Sequence, residues 1–308
     1  MTHAKDDRSK ATHQQTYLDD FLYVVDPNDD VVFVSGIRMH QIGCVNSHWL
    51  IVILTIRLSV HDKDFAIVGA IPANADGITY IYGRQSSDIR SMEAGSIDAG
   101  NVEFVSQEVM IVPSRWVYTN HLIFMDAEYE FTPPMVEHFT PYHRYSFICK
   151  TGVSDVLIGT TSQIADLNGV VKLSHIKDKL VEMTNLNETI WGSSLGLASA
   201  YEGREMKSDV QMNDSIEAYV CKQNVTQFPY EIASLAQDLE GELSVTMPSK
   251  LELEHSDVGP LIRKFLVGHD DANVNRIKAL QLIKDMTLGV NAVGYLTESM
   301  HGARDTEP

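Results

Sequence analysis

Two side chains suited to soft metals sit close together in the run PYHRYSFICKTGVSDVLIG, Pro141 to Gly159: the imidazole of His143 and the thiol of Cys149. Imidazole and thiolate together suit a soft metal ion or an iron–sulfur centre. Lys150, next to the thiol, favours its anionic and reactive form. The same pair also has a plain structural reading, a small buried thiol beside a partly solvated histidine, and pairs this close arise often by chance. Spacing alone does not decide between the two, so the elements that carry these residues matter.

From Tyr17 to about Tyr129 the chain offers short runs of branched and aromatic residues between Asp, Asn, Gly and Pro: FLYVV, DVVFVSG, WLIVILTIRL, FAIVGAIP, GITYIYG, VMIVP and HLIFM. Such runs predict the strands of an antiparallel sheet domain. After Pro141 the texture changes to apolar residues three and four apart. Leu173, Ile176, Leu180, Met183, Leu186 and Ile190 form one helical stripe, with Lys172, Lys177, Lys179 and Glu182 mostly off it. Residues 210–227, 230–239 and 274–296 follow the same pattern, with Pro229 and Pro248 as punctuation. The expected architecture is α+β: a polar N-terminus over 1–15, a β-domain over 16–140, a C-terminal helical bundle over 141–303, and a polar tail over 304–308.

Composition narrows the partners. A net charge of −18 argues against nucleic acid or an anionic membrane surface. A polyanionic ligand would need a local basic cluster, for which Arg84, Arg90, Lys172, Lys177 and Lys179 are the candidates, each equally readable as a solvated surface charge. Cys44, Cys149 and Cys221 are too few and too scattered for a disulfide framework, which fits a reducing cytoplasm. MTHAKDDRSK has no apolar h-region, and LIVIL at Leu50 to Leu54 is far too short to span a bilayer.

Longer segments carry a resemblance. MHQIGCVNSH (Met39 to His48), DGITYIYGRQSSDIR (Asp76 to Arg90), SQEVMIV (Ser106 to Val112), the His143 to Gly159 run, SHIKDKLVEMTNLNETIWG (Ser174 to Gly192), VCKQNVTQFPYEIASLAQDLEG (Val220 to Gly241), VTMPS (Val245 to Ser249) and MTLGVNAVGYLTESMHGA (Met286 to Ala303) resemble, in order, the 4-hydroxybutyryl-CoA dehydratase / vinylacetyl-CoA Δ-isomerase family. The resemblance implies an acyl-CoA dehydrogenase-like fold in the 4-hydroxyphenylacetate 3-hydroxylase-like superfamily. It implies FAD, a 4Fe-4S cluster, an acyl-CoA thioester substrate and a homo-oligomer, a tetramer in the family. The implied chemistry is dehydration of 4-hydroxybutyryl-CoA to crotonyl-CoA and isomerisation of vinylacetyl-CoA to the same product.

The resemblance also assigns residues. His143 and Cys149 match two of the four cluster ligands, and the family's Cys-x3-Cys pair, which belongs to a preceding helical domain, has no match in this sequence. Glu108 and Glu298 match acid/base positions, and His143 and Lys150 complete the implied catalytic set; His301 lies near Glu298. A tyrosine implied between the cluster ligands falls at Phe147, with Tyr145 close by. His40, Gln41, Asn46 and Ser47 match the loop that meets the flavin, and Lys222, Gln223, Asn224, Gln237, Asp238 and Gly241 match helices that complete that site. Cys44 and Trp49 depart from the family's smaller residues, and no Gly-x-Gly-x-x-Gly fingerprint is present. The chain is therefore expected to correspond to the family's C-terminal two-thirds without the extreme C-terminus, as a truncated frame or as one subunit beside a separate N-terminal one. Isomerisation, which needs less of the cluster than dehydration, is the activity expected of such a chain alone. Two alternatives stand beside it: a flavin-dependent aromatic hydroxylase of the 4-hydroxyphenylacetate 3-monooxygenase type, and a catalytically inactive partner or remnant.

Overall fold

The computed structural model describes residues 7, 9–27, 31–53, 56, 58–82, 108–113, 116–146, 148–199, 214–241, 243–269, 273–288 and 292–297. Two compact units divide the chain, one of Met1–Arg84 with Ser106–Phe139 and the other of Gln85–Val105 with Thr140–Pro308.

The first unit holds nine described strands: β1 Tyr23–Pro27, β2 Val31–Ser35, β3 Arg38–Ile42, β4 Trp49–Val52, β5 Ile67–Pro72, β6 Ile78–Tyr82, β7 Glu108–Pro113, β8 Trp116–Thr119 and β9 Ile123–Asp126. They form three antiparallel sheets of orders β1-β2-β8, β3-β7-β6 and β4-β5-β9. Side-chain alternation explains the pairing. Val32 and Val34 of β2 point inward, and in β4 Leu50 and Val52 are buried while Trp49 and Ile51 face out. The central strand β5 is buried along almost its whole length, as a strand with a neighbour on each edge and a covered face must be. Leu22, Val32, Val34, Leu50, Ile67 and Ile111, drawn from all three sheets and the segment before β1, share one core. Each such side chain removed from water contributes roughly 1.5–3 kcal/mol.

In this unit Gly36 is structurally obligatory. Gly36, between β2 and β3, has φ +128°, and a Cβ there would lie 1.8 Å from the carbonyl oxygen of Phe21. The N-terminal segment is fastened to this unit by Asp62, 3% exposed, whose carboxylate accepts from the backbone N–H of His13 at 2.9 Å, bonds the His13 Nδ1 at 2.8 Å, and accepts from the Ser59 N–H at 2.9 Å and hydroxyl at 2.5 Å.

In the second unit the long helices are α1 Thr132–Ser146, which enters from the first unit, α2 Cys149–Leu167, α3 Ser174–Ser199 and α4 Ser215–Glu240. Short helices α5 Leu243–Thr246, α6 Lys250–Glu254 and α7 Gly259–Phe265 lead to α8 Asn273–Thr287, and a π-helical turn follows at Val293–Thr297. Leu157 and Ile164 of α2, Met183 of α3, Ile232 of α4, and Leu280 and Ile283 of α8 are fully buried in one core. Asp214 caps α4 by accepting from the N–H groups of Ile216 and Glu217 at 2.8 and 3.0 Å.

The expected break at Pro229 is absent: α4 runs through it. Proline in a helix interior costs about 3 kcal/mol. Here Val225, Ile232, Ala233 and Ala236 pack the two halves into the interior, and that burial outweighs the missing N–H. The expected long strand WLIVILTIRL is described as a strand only over Trp49–Val52, while β3 and β8 form where no strand is expected.

Candidate active site

In the sheet unit two of the four residues expected to face a flavin, Gln41 and Ser47, line a small cavity of about 180 Å³, whose wall also includes Arg38, Cys44, Trp49 and Ile111; Asn46 is not in that lining. The shape of β3 puts Arg38 and Gln41 there. Arg38 pairs with Ile111 and Gln41 with Val109, so a three-residue step on β3 spans a two-residue step on β7. Ile111 and Val109 lie on one face of β7, both buried. The extra residue in β3 is a bulge, and it turns Arg38 and Gln41 to the same side as those two. Arg38 is 1% exposed, and the Gln41 side-chain nitrogen is buried without a hydrogen-bond partner among the described residues.

After β3 the chain turns at Gly43, whose φ of +68° suits a residue without a Cβ. A 3₁₀ turn follows at Cys44–Asn46, and the Ser47 hydroxyl donates to the Gly43 carbonyl at 3.0 Å. Asn46 and Ser47 are exposed, Cys44 is half-buried, and Trp49 is 52% exposed at the start of β4. The indole of Trp49 thus stands on the exposed face of its sheet.

In the helical unit Cys149 opens α2 and is exposed, whereas Lys150, the next residue, is 6% exposed and donates from Nζ to the Gly294 carbonyl in the π-helical turn. One turn on, the Ser154 hydroxyl shares a 3.0 Å hydrogen bond with the Tyr295 hydroxyl. Burial pushes the Tyr295 phenol well above its ordinary value, and the bond to Ser154 offsets this only in part. On another side of α2, buried Asn187 of α3 donates to the Thr151 carbonyl at 3.2 Å and to the Asp155 carboxylate at 2.7 Å. Lys150 and Ser154 thus tie α2 to the π-helical turn, and Asn187 separately ties α2 to α3. Sequence reading singled out Lys150 but missed Ser154, Asn187 and Tyr295. The i, i+4 spacing of Lys150 and Ser154 was the available signal.

The expected flavin-completing residues all lie on or beside α4. Lys222 is 1% exposed, Gln223 is exposed, Asn224 donates to the Ser193 hydroxyl at 3.3 Å, Gln237 is half-buried, and Asp238 forms an ion pair with Lys179. Gly241 ends the helix at φ +75°. Lys172 and Lys177 are exposed. Glu298, Phe147, Arg84, Arg90 and His301 lie outside the described residues, as do the side chains of His40, Glu108, His143 and Tyr145; the backbones of these last four belong to β3, β7 and α1.

No three His, Cys, Asp or Glu side chains among the described residues converge as a metal site. Those residues therefore do not supply the donor set of a cubane cluster.

The comparisons decide the family. Residues 133–307 match the description "4-hydroxyphenylacetate 3-hydroxylase C terminal" and residues 1–114 match "4-hydroxyphenylacetate 3-hydroxylase N terminal". The chain belongs to the 4-hydroxyphenylacetate 3-hydroxylase family. Within this family it is 44% identical over 98% of its length to a 4-hydroxybutyryl-CoA dehydratase/vinylacetyl-CoA Δ-isomerase of Clostridium aminobutyricum, 64% of which it covers. An oxygen-tolerant archaeal 4-hydroxybutyryl-CoA dehydratase from N. maritimus superposes with a TM-score of 0.94 at 56% identity, over 98% of this chain and 60% of that one. The oxygenase component of 4-hydroxyphenylacetate 3-monooxygenase complexed with FAD gives 0.82 at 16% identity, over 97% and 62%. A glutaryl-coenzyme A dehydrogenase gives 0.57 at 12%, over 95% and 65%, a likeness of fold to the acyl-CoA dehydrogenases. The chain thus spans a little under two-thirds of the dehydratase relatives it matches.

Proposed function

We propose that this chain acts on a four-carbon acyl-CoA thioester with FAD, as the dehydratase/isomerase branch of the 4-hydroxyphenylacetate 3-hydroxylase family does, and that vinylacetyl-CoA isomerisation is the activity to expect of it alone. The observation that carries the reading is the 44% identity to a dehydratase/isomerase across 98% of the chain, against 16% to the FAD-bound monooxygenase. The aromatic hydroxylase alternative shares the family and the fold, at much lower identity.

FAD fits the residues present. A buried donor without a partner costs about 1–3 kcal/mol, so the Gln41 nitrogen in the cavity wall suits a ligand edge rich in acceptors, as the flavin's carbonyls and ring nitrogens are. Gln41, with His40, Asn46 and Ser47, would hold the ring on the sheet side. The resemblance assigns Lys222, Gln223, Asn224, Gln237, Asp238 and Gly241 of the α4 region to the dinucleotide as well. When bound, FAD supplies a reversible electron acceptor that acidifies otherwise inert hydrogens of the acyl chain.

For isomerisation the protein's own groups would move the protons. The C2 hydrogens of vinylacetyl-CoA are acidified by both the thioester carbonyl and the neighbouring double bond. A carboxylate, Glu298 or Glu108, takes one of them, the double bond shifts from C3–C4 to C2–C3, and a proton returns at C4. Lys150, buried as a cation or donor at the head of α2, assists charge on the thioester side, and His143 stands one helix earlier.

The test is proton exchange. In deuterated buffer the FAD-loaded chain should place deuterium in crotonyl-CoA at C4, read by NMR, and Glu298→Gln should slow that exchange by about 100-fold or more. Exchange at the wild-type rate in both Glu298→Gln and Glu108→Gln would remove these carboxylates from the mechanism.

A further inference from the structure

We propose that the main-chain N–H and C=O of Ile51, on the free edge of β4, bind the imide edge of the flavin, where N3–H lies between the C2 and C4 carbonyls. The inference rests on the flavin reading above. It goes beyond that reading by giving a part in holding the ring to a backbone position, which no residue type signals in the sequence.

The hydrogen-bond phase of the sheet carries it. In the order β4-β5-β9, β4 is an edge strand. An antiparallel pair exchanges bonds at alternate residues, and the residues between them point N–H and C=O away from the partner. Two bonds fix which residues those are. The Ala73 N–H donates to the His48 carbonyl at 2.9 Å, and the Ala66 carbonyl accepts from the Ala127 N–H at 2.9 Å on the β9 side. Along the register, Leu50 and Val52 therefore bond Ile71 and Gly69, while Trp49 and Ile51, opposite Pro72 and Ala70, turn their backbone groups to the free edge. Pro72 has no N–H, and at such a position it costs the β4 ladder nothing. Ile51 makes no hydrogen bond to a described residue and is 59% exposed. The cavity lies on that edge. Side chains alternate between the faces of a strand, yet Trp49, Leu50, Ile51 and Val52 all line the cavity, so it runs along the side of β4 and not over one face. Gln41 and Ser47, read above as facing the flavin, belong to the same lining. The ladder bonds of Leu50 and Val52 fix Ile51 from both sides, so a donor and an acceptor stand side by side in set positions, the complement of an imide. A peptide strand could use the same groups, but about 180 Å³ walled also by Arg38 and Ile111 favours a flat ring edge over a strand with side chains on both faces. The secondary amides of a CoA thioester's pantetheine arm share this chemistry, so the experiment must separate the two.

Proline tests a backbone donor directly. Ile51→Pro removes the N–H that points to the cavity and no ladder bond to β5, a change that edge strands accept. Titration of the full-length chain with FAD, followed by flavin fluorescence, should show affinity weakened by about 5- to 10-fold in Ile51→Pro, the worth of one neutral hydrogen bond. Ile51→Val keeps the backbone groups and should stay within about twofold. On the ligand side, 3-methyl-FAD lacks the N3–H and should bind the unmodified chain about 5- to 10-fold more weakly than FAD. Should Ile51→Pro not fold, the comparison of FAD with 3-methyl-FAD on the unmodified chain carries the test alone. Equal affinity for FAD and 3-methyl-FAD, unchanged FAD affinity in a folded Ile51→Pro, or an equal loss in Ile51→Val would each overturn the proposal. A loss in Ile51→Pro confined to acetoacetyl-CoA would also overturn it and give the edge to the pantetheine amides. Failure of the unmodified chain to bind FAD would overturn the flavin reading itself, a different outcome from FAD bound with no preference over its 3-methyl form.

Discussion

At the scale of single residues, buried polar groups carry most of what is specific to this chain. Asp62 shows how one carboxylate organises a segment. Burial alone would raise its pKa, but donors from Ser59 and His13 outweigh burial and hold it below the usual aspartate value. The unfolded chain therefore binds a proton to this group before the folded one does. Its stabilisation is complete above the ordinary aspartate value and is lost as pH falls through the folded value. Asp62→Asn should lower stability at about pH 7 by roughly 2–4 kcal/mol, with the gap in melting temperature closing toward about pH 3. An equal gap at both pH values would exclude the charge as its source. The Ser154–Tyr295 pair is a second case. A double-mutant cycle of Ser154→Ala and Tyr295→Phe should return a coupling of about 1 kcal/mol in urea unfolding, and strict additivity would contradict the bond. Such pairs were hard to read in the sequence because they join α2 to a turn far along the chain. Lys150 was legible only through its place in a recognisable run.

Among the elements, legibility follows what each one buries. DVVFVSG, FAIVGAIP and VMIVP contain β2, β5 and β7, because these strands bury branched residues and the residue types say so. β3 escapes that logic: RMHQI is polar, and two of its residues, Arg38 and Gln41, line a cavity beside that core. Of the two strands that sequence patterning missed, β3 lines the candidate flavin site, where local rules are expected to yield to function, while β8 does not. Pro229 misled in the opposite direction, since a local helix breaker was overruled by packing on both sides of it. The connection from β2 to β3 is tightly constrained at Gly36. Gly36→Ala should destabilise the protein by about 3 kcal/mol or more, because its Cβ would meet backbone and not a movable side chain. A melting temperature unchanged by that substitution would mean that the β2–β3 turn is free to move away from Phe21.

For the molecule as a whole, the sheet unit and the helical unit each have their own core. No described helix is long and apolar enough to cross a membrane. The family was legible in long motifs, and membership in the 4-hydroxyphenylacetate 3-hydroxylase family agrees with them. The substrate branch rests on a 44% identical relative, of which this chain spans 64%. Localisation to the cytoplasm, assembly as a homo-oligomer or with a separate N-terminal subunit, and a 4Fe-4S cluster remain proposals from that resemblance. The measurement that tests the central claim most directly is made under anaerobic conditions on the purified chain with bound FAD: vinylacetyl-CoA is added and crotonyl-CoA is followed. The account predicts its formation, with loss in Glu298→Gln. A flavin-loaded chain that leaves vinylacetyl-CoA untouched, yet hydroxylates 4-hydroxyphenylacetate when given reduced flavin and dioxygen, would contradict it.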